Sequence, residues 1–327
     1  MQETVRYRDG IQFDRSSGET VVADANRPTG DVNVLTHAHG DHLFREAPDE
    51  VVCSPLTADL ARARREDAAF SVAGHPAIDL LPSGHVAGST AALVTDEATG
   101  ERLLYTGDVS TRDRDYLTGF DPVPADALVV ETTYGKPEYV FPEQSALEAE
   151  IVDWLDDTDA PVLLFGYSLG RAQKLQSLVG RSDRSRLFVT RAVARINEVV
   201  EAHLDVDFGA QRYTEDVELG PGDALVLPTQ TNNLRFVDHI ARNTGAVKAG
   251  FSGWAVEESF RYRGDYDETF VLSDHCDFRE LVDLVRAVDP EVVYTHHGFA
   301  DEFATHLARE GYTSRTLKRN QTSLGDF

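Results

Sequence analysis

The chain has 327 residues, 41% hydrophobic and 27% charged, a globular composition that excludes a disordered tail, a collagen or a coiled coil. It carries 56 acidic against 31 basic residues, a net charge of −25, and only Lys136, Lys174, Lys248 and Lys318 among the basic residues are lysines. No apolar run approaches the roughly 20 residues that span a bilayer, Met1–Arg6 shows no leader pattern, and Cys53 and Cys276 alone cannot build a disulfide framework or a four-cysteine zinc site, so a cytoplasmic protein is the expectation.

In chain order, strand-like runs alternate with helical periodicity. A strand over 31–35 leads into Thr36-His37-Ala38-His39-Gly40-Asp41-His42, and a helix is predicted over 56–68. The loop Leu81-Pro82-Ser83-Gly84-His85 precedes strands over 91–94 and 102–105, which Ala98-Thr99-Gly100 joins as a hairpin. Asp108 follows the second of them, and a strand over 127–130 comes next. Ser145-Ala146-Leu147-Glu148 reads as a capping box ahead of a helix over 146–155. Strands over 162–165, 224–227, 269–272 and 292–294 then alternate with helices over 172–179, 278–288 and 301–310. The class is α/β, with several sheets and no linker or repeat.

The acids are dispersed, as in Asp156-Asp157-Thr158-Asp159, and lysine is scarce, the pattern of a halophilic salt-in proteome. Such a charge repels polyanions at low salt. At molar salt the Debye length is about 3 Å and local contacts decide, so nucleic acid stays open as a partner.

The eleven histidines are unevenly placed. His37 and His39, two apart at a strand end, point the same way, and Asp41 and His42 in the following turn can face a second ion. Imidazoles with a carboxylate are donors for zinc-like ions. His85 and Asp108, taken singly, read as ordinary loop residues. His75, His203, His239 and His306 lie outside any motif and read as packing or surface residues.

Taken together, His37, His39, Asp41, His42, His85 and Asp108 resemble the ligand order of the metallo-β-lactamase fold. Glu131-Thr132-Thr133-Tyr134-Gly135, Leu272-Ser273-Asp274-His275-Cys276-Asp277-Phe278 and Tyr294-Thr295-His296-His297-Gly298 resemble the three motifs of the β-CASP nucleases. The resemblance covers nearly the whole chain. It is closest to archaeal mRNA 3′-end-processing-factor-like proteins and to ligase-associated exonucleases, the latter through Phe165–Gln173 and Ser252-Gly253-Trp254.

That resemblance implies a metallo-β-lactamase αββα sandwich over 1–144 and 266–327, with an inserted β-CASP α/β domain over 145–265. It implies two divalent ions, zinc first and manganese second. His37, His39, His85 and Asp108 would hold one ion, and Asp41, His42, Asp108 and His297 the other, with His296 the competitor of His297. Asp41, Glu131 and His275 would form the catalytic set, His275 as proton donor oriented by Glu131. The implied activity is a metal-dependent hydrolase, a nuclease acting on RNA or single-stranded DNA in RNA processing or DNA repair. With Met1 only 36 residues before His37 and no RNA-binding module between them, an exonuclease or a partner-dependent enzyme is favoured.

Other readings compete. Gly166-Tyr167-Ser168-Leu169-Gly170 follows a strand and precedes a helix, the context of a serine nucleophile elbow. That serine-hydrolase reading leaves the histidine cluster without a role. Ser168, Arg171 and Lys174 are read instead as a phosphate contact at a helix start. A non-catalytic β-CASP scaffold subunit and a small-molecule metallohydrolase are the remaining alternatives.

Overall fold

The computed structural model describes residues 5–65 and 68–319; the opening residues 1–4 and two positions of the expected 56–68 helix lie outside them. Two compact units result. The first comprises Met1–Asp113, Leu117–Glu138 and His275–Phe327, and the second Arg114–Tyr116 and Tyr139–Asp274. The second unit reaches past 145–265 on both sides.

The first unit holds two six-stranded sheets. One contains β1 (Val5–Tyr7), β2 (Ile11–Asp14), β3 (Thr20–Ala23), β4 (Val32–Val34), β5 (Glu50–Val52) and β6 (Ser71–Ala73) in chain order, antiparallel to β3 and parallel beyond it. The other draws on β7 (Ile78–Pro82), β8 (Thr90–Thr95), β9 (Arg102–Tyr105) and β10 (Ala127–Glu131). The second unit has one all-parallel sheet made of β11 (Val162–Gly166), β12 (Arg186–Val189), β13 (Gln211–Arg212), β14 (Asp223–Pro228), β15 (Val247–Phe251) and β16 (Glu268–Phe270). The chain then returns to the first unit, where β17 (Val292–His296) and β18 (Ser314–Thr316) join beside β10 in the order β18-β17-β10-β9-β8-β7.

In the first unit Ile11, Phe13, Val21, Val34 and Val52 of one sheet meet Ile78, Ala92, Val94, Tyr105 and Val129 of the other in one buried cluster. Ile11 and Phe13 alternate with half-buried Gln12 and Asp14, the period-2 pattern of a strand with one face covered. The helices here are α1 (Pro55–Arg64), α7 (Phe278–Val288) and α8 (Ala300–Arg309), and α8 packs on β17 and β18. α7 is fixed at its start by a reciprocal cap: Glu280 N–H donates to Asp277 Oδ1 at 2.9 Å and Asp277 N–H to Glu280 Oε2 at 2.8 Å. This start lies two residues past His275.

The central strands of the second unit are apolar on both faces, as a parallel sheet covered twice requires. Val162, Leu164, Val226 and Ala249 pack with α2 (Gln144–Asp157) and α3 (Arg171–Gly180). Leu163, Phe165, Leu225 and Leu227 pack with Val237 and Ile240 of α5 (Arg235–Thr244). α4 (Arg191–His203) and α6 (Glu258–Gly264) complete the unit. The cap of α2 differs from the expected box. Glu143 is the N-cap, accepting from Ala146 N–H at 2.9 Å, and Ser145 lies inside the helix. Glu148 is turned to Lys174 and Arg181 instead, because a carboxylate beside two cations is worth more there than at an exposed helix end. No helix among the described residues is long and apolar enough to cross a membrane.

Gly298 shows how tightly the β17 end is built. Its φ is +56°, and a Cβ would lie 2.4 Å from the Thr132 carbonyl oxygen. Gly298→Ala is expected to cost about 1–3 kcal/mol in denaturant unfolding, more than Gly18→Ala, where φ is +87° but nothing lies within 4 Å. Equal costs at the two positions would mean the clash relaxes freely.

Candidate metal centre

The histidine-rich residues of the first unit gather where strands end. His37 and His39 follow β4, His85 follows β7, Asp108 follows β9, Glu131 closes β10 and His296 closes β17. β9, β10 and β17 are parallel neighbours, with Glu131 opposite His296 in register. Carboxyl ends of parallel strands are where such folds place ligands. Gly107 lets the loops close up: its φ is +54°, and a Cβ there would sit 2.7 Å from Thr36 Oγ1.

Donor atoms of His37, His39, His85 and Asp108 all lie within 4.8 Å of one another. Asp108 is the hub. Its carboxylate oxygens stand 3.4 Å from His37 Nε2, 3.5 Å from His42 Nε2 and 3.5 Å from His85 Nε2. His85 Nε2 and His39 Nδ1 approach to 3.1 Å. His37 Nε2 is buried without a hydrogen-bond partner. An orphaned imidazole nitrogen in a ring of other donors fits a divalent cation, because a metal satisfies several lone pairs at once. Asp41 is exposed at the turn and neighbours this group, its carboxyl pKa lowered because His42 outweighs desolvation.

Charge divides unequally among the rings. Burial pushes His37 and His85 down, so both are neutral and ready as donors. Burial opposes charge on His42 too, but Asp108 and Asp24 outweigh it and its pKa is pushed up to about 10. Burial raises the Asp108 carboxyl, yet His42 and His37 hold it well below the usual range.

Asp24 was not legible as a site residue. It follows β3 with φ +52°, and accepts from His42 Nδ1 at 2.9 Å, Tyr105 OH at 2.9 Å, Thr36 N–H at 2.8 Å and Thr36 Oγ1 at 2.6 Å. The only sequence signal was a lone carboxylate directly after an apolar strand.

A second group of donors, Asp108, Glu131 and His275, adjoins the first. Glu131 is fully buried and accepts from His275 Nδ1 at 2.9 Å and from Thr133 N–H at 2.7 Å. The His275 ring lies 4.5 Å from that of His85. Cys276 is buried, its thiol pushed up by desolvation.

The double histidine separates in space. His296 is 6% exposed, its Nε2 has no hydrogen-bond partner among the described residues, and His297, Asp108, Glu131 and His42 act on its charge. Burial pushes its pKa down to about 4. His297, the expected ligand, is exposed in the left-handed region at φ +62°. The two residues thus differ in setting: His296 is buried at the end of β17, and His297 is exposed in the turn that follows.

The expected phosphate contacts belong to the second unit and are occupied there. Arg171 is 2% exposed, with Nη2 2.9 Å from Asp274 Oδ2 and Nη1 donating to the Phe251 carbonyl. Lys174 is 6% exposed and lies 2.9 Å from Asp115 and 2.6 Å from Glu148. The first N–H groups of α3 already bond backbone: Ala172 to the Tyr167 carbonyl, and Gln173 and Lys174 to the Gly170 carbonyl. Ser168 sits in the expected strand–turn–helix setting, but its hydroxyl has no hydrogen-bonded partner among the described residues, and the positive φ of the turn falls on Gly170 at +97°. A nucleophile elbow strains the serine itself and places a histidine beside it. The serine-hydrolase reading loses its geometry.

No protein-family model matches the chain. A probable DNA ligase of Opitutus terrae is 31% identical over 311 residues, 89% of this chain and 29% of that protein. An RNase J-like protein of Methanocaldococcus jannaschii is 30% identical over 110 residues, 32% of this chain and 25% of that protein. Cleavage and polyadenylation specificity factor subunit 3 of Dictyostelium discoideum is 36% identical over 100 residues, 28% of this chain and 12% of that protein. The chain thus spans less than a third of the length of these relatives. With the strand-end histidines and the three later motifs in place, the chain belongs to the β-CASP family of the metallo-β-lactamase fold.

The raised pKa of His42 has a consequence for stability. In metal-free protein its contribution is complete below about 6.5 and is lost as pH rises toward about 10, whereas the depressed His37, His85 and His296 act only below 6.5. In chelator the melting temperature should fall between about pH 6.5 and pH 9, and His42→Gln should flatten that fall. A wild-type profile already flat over this interval would refute the assignment.

Proposed function

We propose that the chain is a metal-dependent phosphodiesterase that cleaves RNA or single-stranded DNA from an end. The observation that carries it is one donor cluster, His37, His39, His85 and Asp108, sharing its carboxylate with a Glu131–His275 pair. Three imidazoles and a carboxylate suit zinc, with manganese second. His37, His39, His85 and Asp108 would hold one ion. Asp41, His42, Asp108 and a histidine of the 296–297 pair would hold another, and His296 fits the burial better. When bound, such ions supply Lewis-acid charge to a scissile phosphate.

The protein's own groups do the proton work. His275 Nδ1 donates to Glu131 Oε1, which leaves Nε2 to carry a proton to the departing ribose or deoxyribose oxygen. Glu131, held by the Thr133 N–H, orients the ring and favours its charged form. Asp24 fixes the His42 ring through Nδ1 in the same way, and Nε2 becomes free for an ion once its proton is displaced. The end-directed reading draws on the resemblance to ligase-associated exonucleases and on the long match to a DNA ligase. The halophilic reading of the charge makes high salt the working condition.

End-labelled RNA and single-stranded DNA incubated at high salt test the proposal: a ladder from one end supports it, a defined internal cut makes the enzyme an endonuclease, and no cleavage of either sinks it. Ser168→Ala should keep most activity, while Asp108→Ala loses nearly all.

His275→Ala should slow cleavage by about 10²–10⁴-fold with metal content unchanged. The loss should shrink on a nitrophenyl phosphodiester, whose leaving group needs no proton. His296→Ala should lower bound metal, measured by elemental analysis, and His297→Ala should not. The reverse pattern would return the ligand role to His297.

A further inference from the structure

A second feature of the first unit lies against the same loop. A cavity of about 620 Å³ is lined by Gly40 and Asp41 together with Arg45, Arg64, Arg65 and Arg319. Four arginines around one cavity are unexpected in a chain with net charge −25.

Two of the four are already engaged. Arg319 pairs with Asp9 at 2.9 Å. Arg65 donates to the backbone carbonyls of Phe44 and Arg45 and so braces the segment that carries Arg45. The Arg45 N–H is itself tied to the Asn26 carbonyl. The other two guanidinium groups, of Arg45 and Arg64, form no ion pair or side-chain hydrogen bond among the described residues, and both residues are exposed. Arg64 ends α1 and reaches within 3.9 Å of where a Gly40 Cβ would lie, over the loop that carries His37, His39 and Asp41. Of the three acids that border the cavity, Asp9 is committed to Arg319 and Asp24 to His42, Tyr105 and Thr36, while Asp41 forms no ion pair with Arg64 but acts on it through its charge.

A cavity of this size holds a nucleotide rather than a bare ion. Paired guanidinium groups are the side chains best suited to phosphate oxygens. Tyr7, half-buried against the core, also lines the cavity, and aromatic rings are surfaces on which bases stack. We propose that this cavity is a subsite for a nucleotide flanking the scissile bond, with Arg45 and Arg64 holding its phosphate. The proposal rests on the nuclease reading and adds where the strand lies: beside Gly40 and Asp41, on the α1 side of the cluster.

The test is binding rather than turnover. Full-length protein as purified is titrated against a fluorescein-labelled single-stranded oligonucleotide whose phosphorothioate linkages resist hydrolysis but keep their charge. Anisotropy is read across a series of salt concentrations. Each neutralised single-strand phosphate contributes about 0.7 to the slope of log affinity against log salt, so Arg45→Gln/Arg64→Gln, which releases one phosphate, should flatten the slope by about 0.7. Affinity should fall about tenfold. Each single variant should show about half the slope change. Arg309→Gln, an exposed arginine of α8 outside the cavity, removes one positive charge and should change neither quantity. A double variant indistinguishable from Arg309→Gln overturns the subsite while leaving the nuclease reading intact. Wild-type protein that binds no oligonucleotide at any salt overturns both.

Discussion

The structure turns on one carboxylate, Asp108, buried among imidazoles. Burial alone would neutralise it and strip protons from its neighbours. Its oxygens lie 3.4–3.5 Å from the Nε2 atoms of His37, His42 and His85, and that proximity reverses the outcome for two groups. Asp108 stays ionised and His42 keeps its proton, while His37 and His85 are neutral. A polar cluster of this kind is costly in a fold unless something further satisfies it. The two facing sheets carry that cost, because each donor sits at the end of a strand fixed by a ladder on at least one side.

The same device is used twice around the hub. A buried carboxylate accepts a hydrogen bond from the Nδ1–H of an imidazole and so leaves Nε2 for the chemistry: Asp24 for His42 and Glu131 for His275, each at 2.9 Å. Each carboxylate is anchored by a backbone N–H, from Thr36 at 2.8 Å and from Thr133 at 2.7 Å. Such outer partners set tautomer and ring orientation, and without them the donors would point at random. The two imidazoles have different neighbours. His42 Nε2 faces Asp108 in the donor cluster, whereas the His275 ring lies beside His85.

In the second unit the cations serve packing. Arg114 and Arg171 both meet Asp274, and all three residues are at most 5% exposed. Lys174 is shared between Asp115 and Glu148, and Arg181 also reaches Glu148. Removing one member would leave a buried charge unpaired, which is more damaging than the pair is stabilising. Arg171 and Lys174, which look like a phosphate grip in the sequence, are thus both held in buried ion pairs.

The sequence by itself determined the class and most of the donors. Apolar runs bounded by turns located β9 and α7 to the residue and β4, β8, β10, β11 and β14 to within a residue or so, because burial on one or both faces writes itself into hydrophobic periodicity. His37, His39, His85, Asp108, Glu131 and His275 were legible because donors of one chemistry recurred at strand ends in a family order. β1 and β6 were not legible, since Val5-Arg6-Tyr7 and Ser71-Val72-Ala73 carry no sustained apolar run. The choice between His296 and His297 could not be made from adjacent identical letters. What separates the two is β17, which holds His296 in register with Glu131 and ends there, and the chain turns left-handed at the next residue. The roles of Asp24, Arg45 and Arg64 likewise came only from folding, because a carboxylate or a guanidinium acquires a partner, or lacks one, through residues distant in the chain.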